Sequence, residues 1–325
     1  MDKKINHNSF SSILANEVMK DFKETQQKPN LHGNKEANGT VAAQWKTQDE
    51  IQQKIIKLES LLNLYSDLHR QSENSQRIKV LKKISRKVFY EQYYFTNRPV
   101  ILRSFINDWP AMKKWSPGYF SEHFGKIPVE ITHNREKDAA YEKNFHRNVT
   151  TIPFADFIEL ITKAQSSNDV YLVARNYFFS NPRFLSLKKD IKPPAAIVDP
   201  SYQGTHHMKL WFGPRGTVTP LHHDKHSILF AQVYGRKHFK MIPSFDLPKI
   251  YNNERYYSEV DPENIDVLKY PDFLKASLID VVVNPGDMLF IPVGWWHWVR
   301  SLDISISVTF SNFYAEGFNT EWKCL

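Results

Sequence analysis

One cysteine, Cys324, stands in 325 residues, so no disulfide can form within the chain. That removes the disulfide-rich secreted classes and the cysteine-built zinc fingers. No apolar run approaches the length that spans a bilayer; "LIDVVV" and "MLFIPVGWW" are among the longest. The opening "MDKKINHNSFSSILANEVMKDF" carries charges but no apolar core of signal-peptide length. These absences predict a cytoplasmic, reducing location with no membrane association. There is no plausible Ser/His/Asp or Cys/His arrangement, so chemistry through a protein nucleophile is not expected. Internal repeats are missing too.

What is present is apolar, aromatic and mildly basic. Hydrophobic residues make up 41% and charged residues 24%, as in ordinary globular proteins. Aromatics reach 14%, with 22 Phe, 15 Tyr and 8 Trp, a bias toward β-sandwich or barrel cores. The formal net charge is +8. Much of that excess is local: Arg77, Lys79, Lys82, Lys83, Arg86 and Lys87 lie close together with no acid between them. The stretch reads as a solvated basic helix face ahead of the folded domain. The competing reading is contact with RNA, an acidic peptide or a membrane surface. No aromatic interleaving or known nucleic-acid module supports it.

Three regions follow from the pattern. Residues 1–44 are rich in Asn, Lys, Gln, Ser and Glu and read as a disordered extension. Residues 45–87 form a helical N-terminal region, in which Ile51, Ile55, Ile56, Leu58, Leu61, Leu62 and Leu64 recur at helical spacing. That helix is expected to pack on the main domain or on a second copy in a homodimer. The main domain covers residues 88–325. Its first part mixes helices and strands: "FYEQYYFTNRPVILRSF" and "NDWPAMKKWSPGYFSEHFG", then strand "IPVEITH", helix "TIPFADFIELITKAQ" with Thr151 as a cap, and strand "DVYLVARN". Then come "HMKLWFG", "SILFAQVYG", "KHFKMIP", "ASLIDVVVNPGDMLFIP", "HWVRSL" and "ISISVTFSNF", short strands broken by Gly and Pro. The fold class is mainly β with flanking helices, a sandwich or barrel.

Chemistry concentrates in "TPLHHD". On a strand, side chains alternate faces with a period of two, so His222 and Asp224 share one face and His223 takes the other. An imidazole and a carboxylate held two residues apart form two sides of a metal site. The best third ligand is His297 in "GDMLFIPVGWWHW", where Gly286–Asp287 supplies a turn. Two histidines and one carboxylate on one face of an octahedron leave positions open, the arrangement of non-haem Fe(II) oxygenases.

An HxD pair alone is a weak signal, but its surroundings resemble a family. "YFTNRPVILRSFINDWPAMKKWS", "VYLVARN", "WFGPRGTVTPLHHD", "FAQVYGRKHFKMIP", "YSEVD" and "PGDMLFIPVGWWHWV" occur in the order and spacing of the JmjC-type, cupin-like 2-oxoglutarate oxygenases. The likeness runs from about residue 89 to 313 and is nearest to the bacterial cupin-like group and to the asparaginyl and arginyl hydroxylases rather than to the histone demethylases; with no reader domain or zinc-finger cysteines, histone-type demethylation is the less expected outcome. It implies a double-stranded β-helix (jelly-roll) core. It implies His222, Asp224 and His297 as Fe(II) ligands, and 2-oxoglutarate and O2 as cosubstrates. Lys237 and Thr219, with Tyr171 beside them, would hold the distal carboxylate of 2-oxoglutarate. A protein or peptide would be the substrate, with RNA or a small metabolite as alternatives. Two departures stand out: Ile228 and Thr309 occupy places where relatives carry asparagines that hold the cosubstrate near the metal. A catalytically silent binding module is the alternative those two residues favour. His226 shares the parity of Asp224 and is a candidate pocket residue, whereas Ser227 would point away. His206 and His207 precede the strand and read as bystanders, as does His223. Trp295 and Trp296 read as core beside the third ligand. Arg175 and Arg215 are expected near the pocket mouth.

Overall fold

The computed structural model describes residues 48–323 except 74, 203–206, 253–255 and 315–318. The extension expected over 1–44, Cys324 and His206 lie outside the described residues. No helix among the described residues is long and apolar enough to cross a membrane.

Helix α1 (Gln48–Gln71) comes first. β1 (Lys79–Leu81) and α2 (Arg86–Phe89) follow, and α2 runs on as a π-helical turn over Tyr90–Tyr94. Next are β2 (Val100–Leu102), α3 (Pro110–Lys114) and α4 (Pro117–Phe124). A hairpin of β3 (Pro128–Thr132) and β4 (Val149–Pro153) leads into α5 (Phe154–Lys163). Eight strands then build the core: β5 (Met208–Gly213), β6 (Val218–His223), β7 (Ile228–Tyr234), β8 (Lys237–Ile242), β9 (Ile279–Val283), β10 (Met288–Ile291), β11 (Trp296–Ser301) and β12 (Ser305–Phe310).

These eight strands divide equally between two facing sheets, alternating except where β8 and β9 follow each other in one. One has the order β1-β2-β10-β7-β12-β5, the other β6-β11-β8-β9. The core pairings within each sheet are antiparallel, which gives the expected jelly-roll. Three apolar layers follow from strand parity. Leu210, Phe212, Ile306, Val308 and Phe310 turn outward from the six-stranded sheet and pack against the helices. Phe230, Phe239, Met241, Val281 and Val299 fill the space between the sheets. Leu221, Ile242, Trp296 and Trp298 cover the far side of the four-stranded sheet, beneath the segment that includes Ile250, Tyr270 and Phe273.

Three local readings are corrected. The basic stretch is not a helix face: Lys79–Leu81 form a strand parallel to β2. Only Arg86 and Lys87 enter a helix, and Arg86 donates to Ala195 O and lies over the Tyr314 ring. Thr151 is not a cap. It pairs with Glu130 inside β4, and α5 starts after Pro153 with no side-chain cap. "DVYLVARN" makes two isolated bridges, Thr132↔Tyr171 and Leu172↔Phe212, instead of a strand, because a tight turn begins at Ala174 and Tyr177 turns left-handed at φ +50°. Those two bridges nevertheless tie the β3–β4 hairpin to β5 at the residue the site uses.

Helix α1 is locked on through buried polar groups. Lys249 donates to Ser66 Oγ (2.5 Å) and to Asp246 Oδ1 (2.6 Å), while Asp246 Oδ2 accepts from Ser277 N (2.7 Å). Asp246 and Ser66 are fully buried. Removing one member of such a pair leaves the other buried without its counter-charge. Asp246→Ala is therefore expected to destabilise the fold by about 3 kcal/mol or more. Chemical denaturation measures that loss, and amide exchange should show α1 opening first. A loss below ~1 kcal/mol would mean that water replaces the pair.

Candidate metal centre

The register of β6 against β11 places His222 directly opposite His297. Their ring centroids are 4.2 Å apart. Asp224 follows one residue beyond the end of β6, and its Oδ2 lies 3.5 Å from His297 Nε2. One ligand atom from each of the three lies within 4.8 Å of the others. The structure thus brings together the three residues that the sequence grouped.

The backbone fixes which nitrogen faces the centre. His222 Nδ1 is 2.8 Å from Pro220 O, and His297 Nδ1 is 3.0 Å from Trp295 O. A carbonyl can only accept, so each Nδ1 carries the proton and each Nε2 lone pair is left for an ion. Burial, reinforced by His297, pushes His222 down to about 3, so its imidazole is neutral at physiological pH. Burial pulls the Asp224 carboxyl upward, but its place against His297 and His222 outweighs this and holds it well below the usual range. Its side chain remains 40% exposed, so the centre opens outward on the carboxylate side. Two imidazoles and one carboxylate are a donor set suited to Fe(II), with room for further ligands.

Thr219 reaches the same face by an irregularity. Simple alternation would put residues 222 and 219 on opposite faces. The register instead pairs His297 with His222 and Val299 with Thr219, three residues on β6 against two on β11. The extra residue is a β-bulge, and it re-aims the strand so that Thr219 shares the interior face of Val299.

Lys237 enters from β8, paired with Ser301, on the face of Phe239 and Met241. It is only 2% exposed. Its Nζ donates to Tyr171 Oη (2.9 Å) and sits among the rings of Tyr171, Phe230 and Trp211. It makes no ion pair among the described residues, and burial alone brings it down to about 7. Tyr171 packs closely on β5 at Gly213, where a Cβ would stand 2.6 Å from the ring. A buried cation beside a hydroxyl, with no carboxylate of its own, fits a dicarboxylate cosubstrate.

The departures are also located. Ile228 packs with the apolar cluster between the sheets. Thr309 faces the interior and accepts from Trp211 Nε1 (3.4 Å). Ser227 points away, its Oγ accepting from Val293 N. His226 bridges to Glu321 on the rim and is half-buried. His223 is buried against Trp296, Trp322 and Tyr256 on the far face. Trp295 and Trp296 are buried, and Trp295 Nε1 donates to Asn97. His207 packs on Tyr202. Arg215 is exposed in the turn before β6, at the far end of that strand from His222.

Arg175 does reach the centre's neighbourhood. It donates to Tyr257 Oη (3.3 Å), and the Tyr257 ring stacks over His222. Glu142 joins this rim between buried Arg135 (3.0 Å) and Tyr257 Oη (3.4 Å). Sequence reasoning missed Tyr257 and Glu142, since both come from loops with no periodic signal. It also missed Lys209, although "HMKLWFG" places Lys209 on the same face as Trp211.

Residues 85–320 match the family model described as a cupin-like domain. Lysine-specific demethylase 8 of Xenopus tropicalis is 33% identical over 229 residues, covering 68% of this chain and 49% of that protein. Lysine-specific demethylase JMJ30 of Arabidopsis thaliana is 31% identical over 245 residues, covering 72% and 54%. The human bifunctional peptidase and (3S)-lysyl hydroxylase JMJD7 is 26% identical over 252 residues, covering 68% and 79%. The chain thus spans about half the length of the first two.

Proposed function

This chain belongs to the cupin-like, JmjC-type family of Fe(II)- and 2-oxoglutarate-dependent oxygenases, and from that premise we propose that it hydroxylates a side chain of a protein or peptide. The observation that carries the reading is the pairing of two features at the two ends of β11, on the face turned between the sheets. His222, Asp224 and His297 converge at one end, and the buried Lys237, with no ion pair among the described residues, lies at the other. A metal chelated by a dicarboxylate satisfies both at once.

In this reading His222, Asp224 and His297 hold Fe(II), and Lys237, Thr219 and Tyr171 hold 2-oxoglutarate. Iron, 2-oxoglutarate and dioxygen together supply the oxidising equivalent, with succinate and carbon dioxide as coproducts. The chain's own part is positional. The Pro220 and Trp295 carbonyls keep both imidazoles in one tautomer. The apolar walls of Phe230, Phe239 and Val299 exclude water. Asp224 lies on the open side, where a substrate side chain would enter. The protein substrate is supported by relatives named as lysine demethylases and a lysyl hydroxylase. Both chemistries begin with oxidation of a C–H bond. The test is mass spectrometry of cellular proteins and peptides for an added oxygen, or a lost methyl group, that depends on Asp224. If no such change accompanies succinate release, the substrate assignment falls. If 2-oxoglutarate does not bind the metal-loaded chain, a silent binding module replaces the enzyme.

The cytoplasmic location rests on the lone cysteine, and cell fractionation tests it. A homodimer has one surface to favour it: α1 turns Leu58, Leu61, Leu64, Tyr65 and Leu68 outward. Sedimentation velocity should show a dimer at micromolar concentration that Leu61→Glu with Leu68→Glu dissolves. A parent chain that sediments as a monomer would remove this proposal.

A further inference from the structure

A second lysine faces the cavity, and no role has been given to it so far. Along β5, Met208, Leu210 and Phe212 point outward into the helix-facing core. Lys209 and Trp211 must therefore point between the sheets. Trp211 lies over the anchoring end, 5.9 Å from Lys237 Nζ and 5.8 Å from the Tyr171 ring. Lys209 is two residues further along the strand, about 6.8 Å away, and pairs with Thr309. The step from Trp211 to Lys209 leads toward the metal end: Trp211 is level with Gln232 of β7 through Ser307, Lys209 is level with Phe230 through Thr309, and β7 starts at Ile228, four residues after Asp224. The Lys209 side chain is half-buried and makes no hydrogen bond or ion pair among the described residues.

The space between the sheets thus presents two lysine side chains, Lys237 at the anchoring end and Lys209 nearer the metal end. 2-Oxoglutarate carries two carboxylates, whose carbons are about 5 Å apart along four C–C bonds of ~1.5 Å. Neither Ile228 nor Thr309 offers the cosubstrate a carboxamide. We propose that Lys209 pairs with the metal-proximal carboxylate of 2-oxoglutarate, so that the cosubstrate is clamped by charge at both ends. The inference rests on the oxygenase reading above. It makes Lys209 a cosubstrate-binding residue that supplies from β5 what the side chains at 228 and 309 do not. An ammonium can rotate three donors toward a carboxylate oxygen, which suits a position whose partner also binds a metal.

The test is calorimetric titration of the full chain loaded with Mn(II), under nitrogen, with 2-oxoglutarate and separately with 4-oxopentanoate. The second probe keeps the distal carboxylate and the ketone but has a methyl group where the proximal carboxylate would be. Lys209→Met is expected to weaken 2-oxoglutarate binding roughly tenfold to a hundredfold, as for loss of a charged hydrogen-bond partner. It should leave 4-oxopentanoate binding unchanged. Lys209→Arg should recover most of the lost affinity, which a purely structural role would not produce. If Lys209→Met binds 2-oxoglutarate as the parent does, or loses both probes equally, the assignment of Lys209 is overturned. If the parent chain itself binds Mn(II) but no 2-oxoglutarate, the oxygenase reading falls and takes this inference with it.

Discussion

Replacing Asp224 with alanine is expected to abolish tight binding of Fe(II) or Mn(II) and, with it, succinate formation. Each remaining ligand would still be in place. His222 and His297 are held by backbone carbonyls and do not depend on Asp224 for orientation. What goes is the only charged donor of the three. Loss of an outer-shell partner typically costs a metal site 10–100-fold in affinity, and loss of a ligand should exceed about 100-fold. The metal-free fold should barely notice, because the Asp224 side chain is 40% exposed and anchors no strand. Thermal melting with and without Mn(II) separates these effects. The parent should be stabilised by the metal, and Asp224→Ala should melt like the metal-free parent whether or not Mn(II) is added. A variant that keeps its Mn(II)-dependent stabilisation would show that the ion, if bound, sits elsewhere.

How much of this was legible in the residues depends on how local each fact is. The parity of His222 and Asp224 is a property of three consecutive residues, and it was readable. His297 was assigned through the turn and strand around it and through family resemblance, because the pairing of β6 with β11 is a contact across 75 positions that no local pattern records. The position of Thr219 shows the limit more sharply. Period-two alternation points it away from the metal, and only the bulge brings it back. A bulge is a mismatch between two strands, so it does not exist in either strand's sequence alone. The same applies to β1, whose three residues become a strand because β2 lies alongside. Thr151 looked like a cap because it precedes a helical pattern, but its pairing with Glu130 claimed it for the hairpin. Lys209 is the opposite case. Its face could have been derived from Trp211 by parity alone.

Replacing Lys237 with methionine should separate stability from binding in opposite directions. Methionine has nearly the length of the lysine stem and keeps its contacts with the Tyr171, Trp211 and Phe230 rings. In the metal-free protein the lysine is desolvated, and its one side-chain hydrogen bond among the described residues goes to a neutral hydroxyl. Its removal is expected to leave the metal-free protein as stable as the parent, or more so. Cosubstrate binding should suffer by about 100-fold or more, because a buried carboxylate would lose its charged partner. The pH dependence has a definite sign. Burial has brought Lys237 down to about 7 in the empty site. A carboxylate placed beside it must raise that value again, so the complex holds more protons than the free protein above pH 7. Affinity for 2-oxoglutarate should therefore fall as pH rises from about 7 toward the ordinary lysine range, by up to tenfold per pH unit. Titration calorimetry in buffers of different ionisation enthalpy should detect the accompanying proton uptake near pH 8. In Lys237→Met both the uptake and the slope should vanish. If the parent's affinity is flat between pH 7 and 9, Lys237 is already charged in the empty cavity, and the account of why it lacks a counter-ion there would have to be abandoned.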